Sequence, residues 1–340
     1  MPPQRATLLQ VAQRAGVSRS TASFVLAGRH LDMRISEDAR QRVLRAAQEL
    51  DYRPNLMARS LRTKVTRTVA LVSDTLASDP YAGRAINGSL AAAVAHGHLL
   101  FIGETEGDPV VEEKMISDFL DRQVDAFVYA SMFTRYVRVP KQLKGRPVVL
   151  LNCLTRGSQP AQHQIVPDEL AAGWSAATTL LEAGHSGGIH LVGNPGEHVF
   201  AARERLAGIR EGLHTAGARL AGTIECEWWP DSAYEAVSRA LAEGLLPRAL
   251  ICLNDRIALG AYQALREAGL IIPDDVSVIS FDDSELAAWL RPQLTSISLP
   301  HYQLGWQAVE KLLGPPTGPA VHRLPMPVRR RASVAKPPVR

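Results

Sequence analysis

The sequence predicts an α/β protein: a small all-α head at the N-terminus, then a long body of parallel sheets flanked by helices. Three observations carry this prediction. From Arg67 onward, short apolar runs alternate with longer helix-like stretches, the order expected of parallel strands joined by crossover helices. The first fifth of the chain reads instead as short helices separated by turn residues. Charge divides at the same place. Residues 1–67 carry 13 Lys/Arg against 5 Asp/Glu and residues 68–340 carry 25 against 29, so a net charge of +4 conceals a basic head on a mildly acidic body.

A chain of 340 residues suits two or three domains, and 46% hydrophobic with 21% charged residues excludes a disordered or fibrous protein. Cys153, Cys226 and Cys252 are widely spaced and form neither a disulfide framework nor a zinc pattern, which points to a reducing compartment. The start, MPPQRATLLQVAQRAG, lacks the apolar core of a signal peptide, and the apolar stretch 90–102 is broken by His96, Gly97 and His98. The expectation is a soluble cytoplasmic protein with no membrane partner.

In the head, Thr7-Leu8-Leu9-Gln10 has the form of a capping box, which opens a helix that turns Leu8, Val11, Ala12 and Ala15 to one side. Gly16 ends it, since glycine tolerates the left-handed backbone of a helix stop. Val17 fills the angle between two helices and Ser18 caps the second, Arg19–Leu26. That helix turns Ala22, Val25 and Leu26 inward and Arg19, Ser20, Ser23 and Phe24 outward. A third helix from Ser36 buries Ala39, Val43, Ala46, Ala47 and Leu50. A short second helix with a polar, basic N-terminal end is the form that enters a major groove. Tyr52-Arg53-Pro54-Asn55 closes this unit, because Pro54 biases its predecessor away from helix. Leu56–Arg62 then has helical composition but is too short to be stable alone.

In the body, strand-like VALVS (69–73), LLFIGE (99–104), DAFVYA (125–130) and PVVLLN (147–152) are interleaved with helix-like Tyr81–Ala95 and Val110–Arg122. The rhythm repeats with IHLVG (189–193), ALICLN (249–254) and VSVISFD (276–282) among helices Leu170–Ala183, Ala201–Ala216, Ala233–Glu243 and Arg256–Ala268. Ligands of such sheets gather at the carboxyl ends of the strands. Asn254-Asp255 and Asp282-Asp283 follow strand runs, and Arg203 and Arg205 open the helix after Asn194–Val199. Arginine forks and carboxylates there can bind vicinal hydroxyls or ring nitrogens.

The run TLLQVAQRAGVSRSTASFVLAG and then ISEDARQRVLRAAQELDYRPNLMARSLRT resembles the head of a lactose-repressor-type (LacI/GalR) transcriptional regulator. VDAF (124–127), LLEAGH (180–185), RLAG (205–208), LNDRIALGA (253–261), PDDVSVISFDDSE (273–285) and LTSI (294–297) follow in that family's order over nearly the whole chain. The resemblance implies a helix-turn-helix headpiece over 1–54, a hinge helix and linker over 55–67, and a two-lobed core like the periplasmic binding proteins over 68–340. Lobe one is expected at about 68–166 plus 297–340 and lobe two at about 167–296.

The resemblance also assigns roles. Arg19, Ser20 and Phe24 fall where family members read base edges, Thr7, Thr21 and Ser23 where they hold phosphates, and Ser18 is implied to contact DNA beside them. Phe24 departs from the polar or basic residue common there, and the loop Gly28–Arg34 is about three residues longer than usual. In the hinge, Leu61 matches a leucine that wedges into the minor groove, with Asn55, Ala58 and Arg62 beside it. Arg205, Asn254, Asp255 and Asp282 are implied to line the effector cleft, with Trp228 where an aromatic stacks on the ligand and Pro80 and Tyr81 on the first lobe's rim. The implied partners are double-stranded operator DNA, a small-molecule effector (a sugar, sugar derivative or nucleoside-like compound) and a second copy of the chain. The tail after Arg331 has no leucine heptads to hold a tetramer.

Two other readings of the residues stand beside this one: a small-molecule receptor with no specific DNA function, and a sugar- or nucleoside-processing enzyme with a similar core. The second needs an acid/base pair or a nucleophile in the cleft. No GxSxG, P-loop, HExxH or well-placed GxGxxG appears, so no catalytic residue and no cofactor are expected. His96/His98 and His185/His190 lack the companions of a metal site. They read as structural, as do Asp282-Asp283 taken as a dyad and Arg329-Arg330-Arg331 at an exposed last strand.

Overall fold

The computed structural model of the chain describes residues 6–52, 65–76, 83–156, 163–194, 196, 199–315 and 318–337. They fall into two compact units, one up to Thr66 and one from Arg67 on.

The first unit contains helices α1 (Leu8–Ala15), α2 (Arg19–Leu26) and α3 (Glu37–Glu49). Each starts on a side-chain cap, which satisfies amides that a helix start leaves unpaired. Thr7 and Gln10 form both arms of a capping box, Ser18 accepts from the Thr21 amide, and Ser36 accepts from the Ala39 amide. Gly16 ends α1 at φ 63°, its amide donating to the Ala12 and Gln13 carbonyls. Val11, Ala12, Ala15, Ala22, Val25, Val43, Ala46 and Ala47 form the core, with Leu8, Val17, Leu26 and Leu50 partly buried against it. Ala39 is only half-buried, so the buried stripe of α3 begins one turn later, at Val43.

The second unit holds two six-stranded sheets. In the first, the spatial order is β2 (Leu99–Glu104), β1 (Thr68–Ser73), β3 (Ala126–Tyr136), β4 (Val148–Leu154), β5 (His163–Pro167) and β11 (Val321–Leu324), all parallel. In the second it is β7 (Gly222–Ile224), β6 (Ile189–Val192), β8 (Ala249–Cys252), β9 (Ser277–Asp282), β10 (Thr295–Ser298) and β12 (Val328–Arg329), with only β12 antiparallel. Strand alternation feeds a core on each face of the first sheet. Val69 and Leu71 pack with Ala85 and Ala92 of α4 (Gly83–Ala95) and Leu304 of α11 (His301–Leu313), while Ala70 and Val72 pack with Ile116 of α5 (Pro109–Asp121). The second sheet is covered by α6 (Glu169–Glu182), α7 (Phe200–Thr215), α8 (Pro230–Ala242) and α9 (Asp255–Glu267), with a short α10 (Glu285–Trp289) after β9.

The chain crosses between the lobes three times. It enters the second lobe between β5 and α6, returns to the first between β10 and α11, and crosses back between β11 and β12. The third crossing corrects the expectation that all of 297–340 belongs to lobe one. Val328 and Arg329 pair with β10, and the Ser333 carbonyl accepts from the Val278 amide on β9. The reason lies in sheet edges, since β10 presents an unpaired edge that the tail covers. Phe200, at the start of α7, packs against Leu154 and Val166 of the first lobe, and Tyr136 meets it edge-on at 5.9 Å. Among the described residues no helix is long and apolar enough to cross a membrane.

Candidate DNA-binding and effector sites

In the first unit, the caps set which side chains face outward. Arg19 and Ser20 are exposed at the N-terminal end of α2, where backbone amides and the helix dipole favour an anion. Ser18 and Thr21 are tied together: the Thr21 amide donates to Ser18 Oγ at 3.0 Å and the two hydroxyls lie 2.8 Å apart. Thr7 is engaged in the same way, its Oγ1 accepting from the Gln10 amide at 3.3 Å. These three hydroxyls therefore have fixed orientations. Ser23 is half-buried. Phe24 is not fully outward as its spacing suggested. It is half-buried and the Arg29 guanidinium lies 5.7 Å from its ring centre, a cation over an aromatic face. The longer loop is a compact turn, with Arg29 accepting from the Met33 amide, His30 from the Ile35 amide, and Leu31 exposed. The hinge residues Asn55, Ala58, Leu61 and Arg62 lie outside the described residues, as do Pro80 and Tyr81 of the first lobe's rim.

In the second unit, the carboxyl ends of β6, β8 and β9 bring a charged cluster together. Arg205 on α7 is buried beneath it. Its Nε donates to Glu169 Oε2 at 2.6 Å and its Nη2 to Glu169 Oε1 at 3.2 Å, a side-on bidentate pair. Its Nη1 donates to the Leu253 carbonyl at 2.5 Å, and Nη2 lies 3.5 Å from Asp282 Oδ1. The guanidinium carbon sits 4.6 Å from the Phe281 ring centre and 6.0 Å from that of Trp228. The Trp228 indole N–H donates to the Asn194 carbonyl at 3.1 Å, which holds the ring at the end of β6. Arg205, Trp228 and Asp282 thus lie together near these strand ends. Burial pushes the Glu169 carboxyl up while Arg205 draws it down, and the charges of Glu169 and Asp282 hold the guanidinium pKa above its ordinary value against desolvation.

Asn254 and Asp255 have different positions from the one their sequence suggested. Asn254 is buried and spends its side-chain oxygen on the Ile257 amide at 2.7 Å, so it is the cap of α9. Asp255 is buried, and both its oxygens are occupied. Oδ1 accepts from the hydroxyls of Ser280 at 2.5 Å and Ser296 at 2.8 Å, and Oδ2 from the amide and hydroxyl of Ser284 at 2.7 and 2.8 Å. Its pKa is raised to about 6, first by desolvation and then by the charge of Asp282, against the serine hydrogen bonds. It supports the floor of the site, since no lone pair is left that a ligand could easily claim.

Asp282 and Asp283 part company. Both sit at positive φ, 101° and 51°, a backbone that costs of order 1–3 kcal/mol at a non-glycine residue and gathers at functional sites. The sharp turn aims Asp282 at Arg205 and Asp283 at Arg331, whose Nη2 donates to Oδ1 at 2.6 Å. Arg331 is consequently mostly buried, while Arg330 pairs with Glu182 and Arg329 is exposed. His185 binds Ser277 Oγ and the Ala335 carbonyl, both at 3.0 Å, and burial lowers its pKa. Among the described residues no three His, Cys, Asp or Glu side chains converge to hold a metal ion.

Glu169 is the residue that sequence reasoning missed. Its signal was an acid in the first turn of a helix, directly after the cap Asp168, and such acids are commonly exposed dipole partners. It is buried because α6 and α7 cross closely. A Cβ at Gly173 would collide with the Arg205 carbonyl, and one at Gly208 with that of Leu170. That approach puts the first turn of α6 against the Arg205 guanidinium.

The chain matches two family models: bacterial regulatory proteins of the lacI family over residues 7–55, and a periplasmic binding protein-like domain over residues 177–334. The HTH-type transcriptional regulator AscG of Escherichia coli (strain K12) is 31% identical over 315 residues, covering 90% of this chain and 91% of that one. The ribose operon repressor of Escherichia coli (strain K12) is 29% identical over 338 residues, covering 98% of each. A crystal structure of the lac repressor dimer bound to operator and the anti-inducer ONPF shares the fold at a TM-score of 0.77 and 24% identity, covering 98% of this chain and 100% of that one. With a capped helical head, a two-sheet body and a relative of this similarity along nine-tenths of its length, the chain belongs to the lacI family of bacterial regulatory proteins, DNA-binding transcriptional regulators and not enzymes.

Proposed function

We propose that this protein is a cytoplasmic repressor that binds a palindromic operator as a homodimer and answers to a small polyhydroxylated effector, a sugar, sugar derivative or nucleoside. The observation that carries the DNA reading is the capped start of α2, which presents Arg19 and Ser20 beyond fixed hydroxyls of Ser18 and Thr21. Arg19 would pair with a guanine edge, Ser20 and Phe24 would contact neighbouring bases, and Thr7, Ser18, Thr21 and Ser23 would set register on phosphates. Residues 1–54 act as the headpiece, and in the hinge (55–67) Leu61 wedges the central base step, flanked by Asn55, Ala58 and Arg62. In the core, Arg205, Trp228 and Asp282 contact the effector, Asn254 and Asp255 hold the floor, and Pro80 and Tyr81 close the first lobe's side. Effector control requires different affinities in two states of the core, one of which brings paired hinges together on DNA.

The test is selection of bound sequences from a random DNA pool by the full-length protein at a stated salt concentration, since salt alone changes such affinities by orders of magnitude. A recovered palindrome whose half-sites lie about one helical turn apart is expected. On that DNA, Leu61→Ala should lose at least about tenfold in operator affinity and much less in nonspecific affinity, as removal of a base-step wedge implies. Equal losses on both DNAs would remove the wedge. Salt-sensitive general binding with no motif, both alone and with sugars and nucleosides added, would remove the specific-DNA reading.

A further inference from the structure

Four of the five N–H donors of Arg205 are engaged within the cluster. A guanidinium has five N–H groups, and it captures an anion best through two parallel ones. The side-on edge of Arg205, Nε and Nη2, is filled by Glu169. The end-on fork is divided between the Leu253 carbonyl on Nη1 and Asp282 on Nη2. No pair of parallel donors is left on either edge. The charge balance points the same way. One guanidinium lies against two carboxylates, Glu169 and Asp282, with the Asp255 carboxylate close enough for the Asp282 charge to act on it. Asp282 is the member of this group that faces outward, its side chain 30% exposed, and the Arg205 guanidinium it meets lies near the Trp228 and Phe281 rings. A carboxylate accepts hydrogen bonds and donates none.

Resting on the effector-cleft reading above, we infer that Glu169 sets the charge class of the effector: by filling the anion-binding edge of Arg205, it makes the site accept a neutral or amine-bearing polyol through Asp282 and reject phosphorylated or carboxylated ones. The physics is that of a buried site in which an arriving anion meets surplus negative charge and finds no free fork, and so must leave its hydration shell uncompensated. A ligand with hydroxyl or ammonium donors loses nothing of this kind, and its apolar ring face has Trp228 to lie against. Glu169 is thus a specificity residue that acts through Arg205 rather than by touching the ligand.

The experiment uses the full-length protein and a panel of matched sets: aldoses, disaccharides and nucleosides, each with its amino, phosphate-ester and carboxylate forms. Thermal shift finds binders, calorimetry gives their affinities, and each binder is retested on Asp282→Asn. Every Asp282-dependent binder should lack an anionic group, with the parent at least about tenfold tighter than its anionic forms, which is about 1.4 kcal/mol. An anionic compound that binds tighter than its parent and depends on Asp282 overturns the inference and leaves the effector cleft standing. A panel in which nothing binds removes the effector cleft itself, and with it this inference. Glu169→Gln keeps the shape and an acceptor for Arg205 but removes the charge. It should narrow the ratio between parent and anionic affinities by at least about tenfold, a change that a merely structural role would not produce. A folded Gln variant with an unchanged ratio also overturns the inference. Should that variant fail to melt cooperatively, the wild-type panel decides.

Discussion

Asp255 shows how one buried side chain couples the site to pH. The carboxyl is held by Ser280, Ser284 and Ser296 and has its pKa raised to about 6, against about 3.9 in an unfolded chain. Between these values the folded protein holds a proton that the unfolded chain has released. Stability from this group is therefore fully present below about pH 4 and is lost as pH rises through 6, by about 3 kcal/mol. Asp255→Asn removes the titration. The expected result is that the stability of the Asn variant relative to wild type improves by about 2–3 kcal/mol between pH 4 and pH 7, read by denaturant unfolding at several pH values. A constant difference would mean that the carboxyl stays ionised throughout. The four donors around Asp255 also explain why a charged residue is tolerated in the floor of the sheet, since a buried charge without partners would be far more costly.

Among the elements, helix pairs brought together by glycine are the recurring device. Gly88 and Gly305 let α4 and α11 touch backbone to backbone, Gly173 and Gly208 do so for α6 and α7, and Gly260 lets α9 approach the Pro230 carbonyl at the start of α8. A methyl group at these points would meet a carbonyl oxygen, and the helices would have to separate. Gly88→Ala and Gly173→Ala should each cost about 1–3 kcal/mol of core stability. Only Gly173→Ala should also weaken effector binding, because its crossing seats Glu169 against Arg205. Denaturation and calorimetry on both variants check this, and equal effector affinities in the two would separate the crossing from the site.

For the molecule as a whole, the first sheet has an unfinished side. Edge strand β2 leaves Leu99 63% exposed, with Phe101 and Ile102 also exposed, and Leu90 and Val94 of α4 are exposed as well. Exposed apolar side chains of this kind, beside an edge strand, call for cover. In the proposed homodimer a second copy would supply it. Leu99→Asp should halve the mass seen by light scattering toward the 37.0 kDa monomer. Because two linked headpieces gain by effective concentration, it should also cost at least about a hundredfold in operator affinity while the core still melts cooperatively. A dimeric Asp variant with full operator affinity would place the interface elsewhere.

The parts legible from sequence were those decided within a few residues. Thr7 with Gln10, Ser18 with Thr21, and Gly16 at its positive φ are local devices, so the starts and the stop of the head's helices followed from the text. So did most of the strand–helix alternation of the body, and the placing of Asp282 at the end of β9. Short strands such as β5, β7 and β12 carried too little pattern to read, and the return of the tail to the second lobe depended on which sheet edge was open. The site's chemistry was settled at longer range. Arg205 meets Glu169, Leu253 and Asp282 across 36, 48 and 77 residues of sequence, and no local propensity reports such meetings. Only the tertiary structure could decide that Glu169 is buried, that Asp255 is enclosed by Ser280, Ser284 and Ser296, and that Asp282 and Asp283 face different arginines. Each outcome depends on which partner burial makes compulsory: a charge removed from water must be matched by whatever the packed helices bring beside it.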